Sequence, residues 1–495
     1  MTRQKLPAER WRGACVAALA IACACTGWPS AATDSSDLGE GLRPRSTEKF
    51  DLAQFQLPPL PEGPIRRDGR APILPSDLTY QYSWSTETTG TYRRDRDLDK
   101  RVRDNSHILQ PNINGVFIYR PFNWIESTLE VLLEREIAIR EEPRVVRPDG
   151  TVEVAPKRDT SLLVDQAYLT FRRAIAPFEL SIGRRNYEDE RRSLYDTSMD
   201  VVDLTYRQGT FRSQLLYGRE HLRNLELSPR LREQKDKNDT AIFYNEYRGI
   251  EDMRIAAWYI ARHDRNGLEG DPRLIGGRVL GTPSAALSYW AEAGILRGKD
   301  EKHVPFRGRT YDVGATYRFP SLPFAPNITI GYAYGSGDDN PNDTVNHEFR
   351  NTGLHAHEWR FAGVTQFKVL GEALDPELNN LKVFTVGIGF RPTAASSLDF
   401  VFHKYRTDKI TDSVRNSAIT AQMAQVDTHL SKDVGRGFDI ILGLRNLFGI
   451  KRLGVDLRIG WLLPGKAFLT NDGTDENPLL RRADKSTAIV FKLWY

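Results

Sequence analysis

The stretch Ser486-Thr487-Ala488-Ile489-Val490-Phe491-Lys492-Leu493-Trp494-Tyr495 decides how the rest of the sequence is read. In an extended strand, successive side chains point to opposite faces. Thr487, Ile489, Phe491, Leu493 and Tyr495 therefore share one face, which is mostly apolar and finishes on an aromatic ring. A ring in that place suits the boundary between membrane and water, and the pattern is that of a strand in a transmembrane barrel.

The same period of two recurs upstream. Val455, Leu457, Ile459 and Trp461 alternate with Asp456, Arg458 and Gly460. Phe438, Ile440, Leu442 and Leu444 alternate with Asp439, Ile441, Gly443 and Arg445. Tyr311, Val313, Ala315, Tyr317 and Phe319 alternate with Asp312, Gly314, Thr316 and Arg318. One apolar and one polar face fit a barrel wall, and they also fit a soluble sandwich.

Connection lengths separate the two. Eighteen candidate strands begin near residues 78, 107, 124, 162, 178, 201, 210, 240, 252, 273, 285, 309, 327, 381, 396, 436, 453 and 486. Short connections, such as 121–123, 249–251 and 391–395, alternate with long ones, such as 140–161, 335–380 and 407–435. That two-sided rule belongs to outer-membrane barrels, with short periplasmic turns and long outer loops. An even number of strands also places both chain ends in the periplasm. The fold expected is all-β: an antiparallel transmembrane barrel over residues 78–495.

The chain opens with a targeting pattern. Arg3, Lys5, Arg10 and Arg12 precede an apolar run from Ala14 to Ala24, followed by Ser30-Ala31-Ala32. This reads as a secretory signal over residues 1–32. Cys15, Cys23 and Cys25 all lie inside it, so a chain cleaved after Ala32 has no thiol or disulfide chemistry. Acylation of Cys23 is the alternative reading, although leucine is missing from its usual place. Residues 33–77 form a Pro-rich arm in which Pro58, Pro59, Pro61, Pro64, Pro72 and Pro75 oppose regular structure.

Net charge is +4 for the whole chain, of which residues 1–32 carry +3. The mature chain is thus nearly neutral, without the basic stripe of a nucleic-acid binder. No later segment has 18 consecutive apolar residues, so helical spans are not expected.

Several stretches, in this order, resemble the alginate export family of outer-membrane proteins. They are Ile182-Gly183-Arg184 through Tyr195-Asp196-Thr197, Gly335-Ser336-Gly337, and Thr352-Gly353-Leu354 with Phe361-Ala362-Gly363. Gly371-Glu372-Ala373, Glu377-Leu378-Asn379-Asn380-Leu381 and Phe402-His403-Lys404-Tyr405 complete the set, within residues 160–495. The resemblance implies an eighteen-stranded monomeric barrel in outer-membrane lipid, passing an acidic polysaccharide such as alginate outward. It also makes periplasmic export-complex proteins candidate partners, and it implies no cofactor.

A polyuronate carries a carboxylate on each sugar, so a lumen offering many weak contacts to Arg and Lys lowers the barrier to entry. By alternation Arg318, Arg445 and Arg458 face inward, with Asp439 and Asp456 as counterweights. The resemblance assigns Arg458 to the lumen, Asp196 to the neighbourhood of a constriction, and Arg184 to the Gly-Arg pair. Alternation instead turns Arg185 inward, unless a bulge reverses it. Asp456 stands where the alginate pores usually carry a basic residue. Each arginine could equally brace the wall through a salt bridge.

The turn at 447–452 is short where family members can carry a long periplasmic plug. The connection 335–380, with Arg360 and Lys368, is therefore the candidate gate. Within it, Asp338, Asp339 and Asp343 could hold Ca²⁺ or simply be solvated, and His355 and His357 lack a third ligand at a recognisable spacing. A barrel enzyme would need a nucleophile–base pair, for which His403 is the strand histidine to inspect. An adhesin, the third class, would have a filled lumen.

Overall fold

The computed structural model describes residues 80–495 apart from 102–104, 141–144, 147–151, 154–157, 176, 221–237, 266–269, 341, 424–429 and 472–479. The expected signal at 1–32 and arm at 33–77 lie outside the described residues. Eighteen strands form one antiparallel sheet. They are β1 (Tyr80–Arg94), β2 (Ser106–Phe122), β3 (Ile125–Arg140), β4 (Arg158–Ile175), β5 (Phe178–Glu188) and β6 (Asp196–Gln208). Then come β7 (Phe211–Arg219), β8 (Asn238–Ile250), β9 (Met253–Asp264), β10 (Asp271–Gly281), β11 (Leu287–Lys299) and β12 (Arg309–Arg318). The last six are β13 (Asn327–Gly335), β14 (Leu381–Thr393), β15 (Ser396–Thr407), β16 (Asp433–Arg445), β17 (Gly454–Pro464) and β18 (Ser486–Trp494).

Each strand pairs with its sequence neighbours, and β1 closes the cylinder on β18 from Glu87↔Trp494 to Arg94↔Thr487. Closure satisfies the backbone donors and acceptors that hydrocarbon cannot. Among the described residues no helix is long and apolar enough to cross a membrane; the spans are strands.

Side-chain alternation sorts the faces as the sequence implies. Tyr82, Trp84, Phe117, Ile182, Val202, Tyr217 and Ile330 are exposed on the lipid side, while Thr128, Ser181, Thr240, Thr316 and Thr329 are buried inward. Trp84 and Tyr495 approach to 5.7 Å between ring centres, at the end of the barrel bearing the short turns. The largest departure from expectation is at β6, while β4 and β16 begin four and three residues early. β6 begins at Asp196, not near 201, because residues 196–200 pair in register with β5 from Glu188↔Asp196 to Arg184↔Asp200. They show no clean alternation, and Met199 faces inward, fully buried.

The outer half of the lumen has a core of its own. Leu194, Phe306, Phe349, Leu354, Phe367, Leu370, Leu374, Leu378 and Phe468 are buried together, and all belong to connections on the long-loop side. Burying a Leu or Phe side chain contributes roughly 1.5–3 kcal/mol. The loops are thus drawn into the barrel as a soluble core is.

Candidate functional site

The connection 336–380 between β13 and β14 folds into the lumen and carries a two-residue hairpin, Glu358–Trp359 against Phe367–Lys368. It docks first on β16 and β17. Arg458 Nη1 lies 3.2 Å from Glu358 Oε1, and its Nε lies 3.4 Å from Glu372 Oε1. Arg458 is 4% exposed and Glu372 2%. Asp456 accepts a 2.6 Å hydrogen bond from Thr365 Oγ1 and pairs at 2.7 Å with Arg445. Arg445 also donates to the Val364 carbonyl at 2.6 Å, and its guanidinium lies over the Trp494 ring. Asp439 accepts from the Glu372 backbone N–H.

A second contact is with β15. The Tyr405 hydroxyl donates to the Leu370 carbonyl at 2.9 Å, and the Ser397 hydroxyl accepts from the Val364 N–H. Gly371, at φ +112°, makes room: a Cβ there would lie 2.0 Å from the Tyr405 hydroxyl oxygen. A third contact is with 189–195, the β5–β6 connection. Arg192 reaches Glu188 at 2.6 Å, Asp196 at 3.5 Å and Glu358 at 3.7 Å. Beside it, buried Arg278 holds Asp189 at 2.7 Å and Glu292 at 2.6 Å.

Below this plug lies a cavity of about 1050 Å³. The turn residues Ile250 to Met253 and Gly281–Thr282 line its periplasmic end, and Trp359, Arg360, Phe361 and Gln366 of the plug line its inner end. Among the described residues, eleven carboxylate side chains and six Lys or Arg line it. Many of these charges are matched locally, as in Arg254–Glu190 at 2.5 Å. Arg360 is exposed to the cavity, with no carboxylate in ion-pair distance among the described residues and with Arg391 and Arg445 as cationic neighbours. Lys492, paired in register with Asp456, is the other such cation on its wall.

The sequence candidates thus separate. Arg458, Arg445, Asp456 and Asp196 converge on the plug and its rim. Arg318 also points inward and is buried, with Arg391 and Arg360 as its electrostatic neighbours. Arg185 is turned inward, as simple alternation implies, and lies over the rings of Tyr168 and Tyr187. Arg184 meets Asp200 and the Glu220 carbonyl on the other side of β5. Of the two candidate gate residues, Arg360 faces the cavity. Lys368 is tied within the plug, to Asp375 at 3.2 Å and the Ala356 carbonyl.

His403 is fully buried, between Thr385 Oγ1 at 3.0 Å and Asp439 at 3.2 Å, with Tyr405 stacked on it. Asp339 pairs with Lys409, while Asp338 and Asp343 accept backbone N–H groups of their own connection. His355 and His357 pack against each other, and among the described residues no cluster of three metal-ligating side chains occurs. Burial holds the His355 imidazole down to about 3, with Lys368 and Arg262 acting the same way. Burial also lowers His357 well below its usual value, with His355 adding to the effect. For Glu358 burial raises the carboxyl, but Arg458, Lys492, Lys368 and Arg192 outweigh it and hold it well below the usual range. Glu372 is raised, because burial outweighs Arg458.

Sequence reading missed Glu358, Thr365 and Arg192, whose charged or polar surroundings look solvated. Glu372 was signalled only as part of Gly371-Glu372-Ala373. That motif and Phe402-His403-Lys404-Tyr405 are two sides of one contact.

A sequence model of the alginate export family matches residues 75–480. The chain belongs to the alginate export family. Membership places this barrel among outer-membrane transport proteins. The alginate production protein AlgE of Azotobacter vinelandii is 30% identical over 117 residues, 23% of this chain and 24% of that protein. The chain thus matches about a quarter of that relative's length.

Solved barrels of similar fold include OccK9 (OpdG) of Pseudomonas aeruginosa, at TM-score 0.53 and 11% identity, covering 84% of this chain and 98% of that one. OccAB2 of Acinetobacter baumannii gives 0.52 and 12%, with the same coverage. At such identities the likeness concerns the fold alone.

Proposed function

We propose that this alginate export family barrel passes a polyuronate from the periplasm outward, and that the plug 336–380 is both its gate and its charge switch. The observation that carries the reading is the pairing of Arg458 with two carboxylates, Glu358 and Glu372, that both belong to the plug. With the plug seated, carboxylates outnumber cations around the vestibule, a field that opposes a polyanion. When the plug withdraws, Glu358 and Glu372 leave with it and Arg458 becomes an unpaired cation beside Lys492 and Arg445. One movement clears the path and uncovers Arg458 as a cation that a passing carboxylate can meet. Each contact is exposed to water and individually weak, so the polymer is not trapped and can move on.

Family membership supports alginate or a related uronic-acid polymer as cargo. Asp456, which neutralises Arg445, sets this lumen apart from a wall basic at that position. In the same reading residues 1–32 are a removed signal, 33–77 a periplasmic arm, and the barrel works as a monomer with periplasmic export-complex proteins as candidate partners. No step in it calls for catalysis.

A second reading, a general or substrate-specific uptake porin, draws on the carboxylate excess of the seated state. Planar-bilayer recording separates the two. Export predicts small currents from the intact protein, larger anion-preferring currents after deletion within 336–380, and block by polyuronate from the periplasmic side. Currents that prefer cations in both forms and ignore polyuronate would favour uptake.

A further inference from the structure

The lipid-facing surface changes character abruptly at the outer ends of β10, β11 and β14 to β16. On β10 the outward series passes from exposed Ile275 to exposed Arg273, and on β11 from Ile295 to Arg297. On β14 it passes from Phe384 to Lys382, on β15 from Phe402 to Lys404 and Arg406, and on β16 from Phe438 to Arg436. Each step spans two residues, about 7 Å along a strand. The cations therefore sit where hydrocarbon gives way to headgroups, on the side of the long loops.

They are also set against one another. Arg273 pairs in register with Arg297, Lys382 with Arg406, and Lys404 with Arg436. Like charges directly opposite on one face destabilise a sheet. Asp408 takes up Lys382 and Asp433 takes up Lys404. Arg273, Arg406 and Arg436 have no carboxylate in ion-pair distance among the described residues, and Arg297 donates to the Leu296 carbonyl. The opposite arc differs, since Arg184 meets Asp200 at 3.4 Å and Arg219 meets Asp239 at 2.6 Å.

We propose that this belt binds a phosphorylated glycolipid of the outer leaflet. Its phosphates lie between the opposed cations, and its acyl chains lie on Ile275, Ile295, Phe384, Phe402 and Phe438. A phosphate between two cations turns their repulsion into a bridge, with bidentate contacts from each guanidinium. The proposal rests on the barrel and its membrane, not on the cargo of the lumen.

The test is lipid retention by the full-length barrel in mixed micelles, read by native mass spectrometry. The probes are bisphosphorylated lipid A, the same lipid after dephosphorylation, and inorganic phosphate. Two variants are compared, Arg273→Gln with Arg297→Gln, and Lys404→Gln with Arg406→Gln and Arg436→Gln. Arg207→Gln, at the periplasmic end, is the control. Each lost cation should weaken retention of the bisphosphorylated lipid by about fivefold, and the control should match the parent. Equal retention of the dephosphorylated lipid overturns the proposal, and that comparison needs no variant. Displacement of the lipid by equimolar inorganic phosphate, or undiminished retention by both folded variants, overturns it as well.

Discussion

Arg458 on the barrel wall lies 3.2 Å from Glu358 on the plug, across a separation of 100 residues in sequence. The pair joins a residue of the barrel wall to the segment that folds into the lumen, the gate of the proposed function. A wall arginine held this way is unavailable to cargo, and a plug carboxylate held this way resists withdrawal. Arg445 and Asp456 repeat the arrangement one step along β17, since Thr365 binds the same Asp456 carboxylate. In the proposed function, closure and the masking of wall charge are therefore one set of contacts.

Glu358→Gln should unseat the plug without touching the wall. Arg458 keeps Glu372 and the Gln366 carbonyl, so the cost is that of one buried charge-assisted hydrogen bond, about 1–3 kcal/mol. The open fraction should rise by roughly ten- to a hundredfold. Single-channel recording reads this directly, and closed times equal to those of the parent would rule out Glu358 as an anchor.

Acid should loosen the plug as well. His355 and His357 belong to it and are held below their ordinary value, His355 at about 3. A lowered histidine takes no proton while seated but takes one when released, so seating weakens as pH falls through about 6.5. Each histidine contributes up to about 1.4 kcal/mol per pH unit. Glu358, also lowered, acts in the same direction at lower pH, whereas raised Glu372 acts the opposite way. Among the facing groups are Glu377, 3.8 Å from His355, and Asn351, hydrogen-bonded to His357. Conductance should therefore climb between pH 7 and 5, and less steeply in a His355→Gln, His357→Gln variant. A flat profile in the parent would show that these imidazoles stay neutral in both states.

Gly371→Ala tests the β15 contact. The added Cβ would meet the Tyr405 hydroxyl at 2.0 Å, in a backbone conformation that L side chains resist. Strain of this kind costs about 1–3 kcal/mol. The barrel should still form, as judged by heat-modifiable migration, while protease access to residues 336–380 increases. Unchanged protection would mean that the segment rests chiefly on its contacts with β16 and β17.

The barrel was legible because a lipid-facing wall keeps a period of two and outer-membrane barrels alternate short turns with long loops. All eighteen strands stand in the expected order. Inward placement of Arg318, Arg445 and Arg458 followed from the same parity. Their partners did not follow, because Glu358, Glu372 and Arg192 lie in irregular connections where no period says which way a side chain turns. Asp189-Glu190-Arg191-Arg192 reads as a solvated run, yet Asp189, Arg191 and Arg192 are buried. A charge is buried only when its partner is present, and those partners come from distant parts of the chain.

The last prediction separates charges that act in the closed protein from those that act only when it opens. Arg360 and Lys492 face the vestibule with the plug seated, whereas Arg458 is covered by it. In the intact protein, Arg360→Ala and Lys492→Ala should each weaken polyuronate block from the periplasmic side by several-fold, in proportion to one screened charge contact. Arg458→Ala should leave that first block unchanged, even as it raises the open fraction. Once residues within 336–380 are deleted, the order should invert. Arg458→Ala should then lower anion preference most, and Asp456→Arg should strengthen block. Raising the salt concentration should erode both effects, because exposed charges are screened beyond about 8–10 Å. Selectivity and block that respond to Arg458 equally with and without the plug would show that this arginine is never masked, and the coupling of gate to charge would fail.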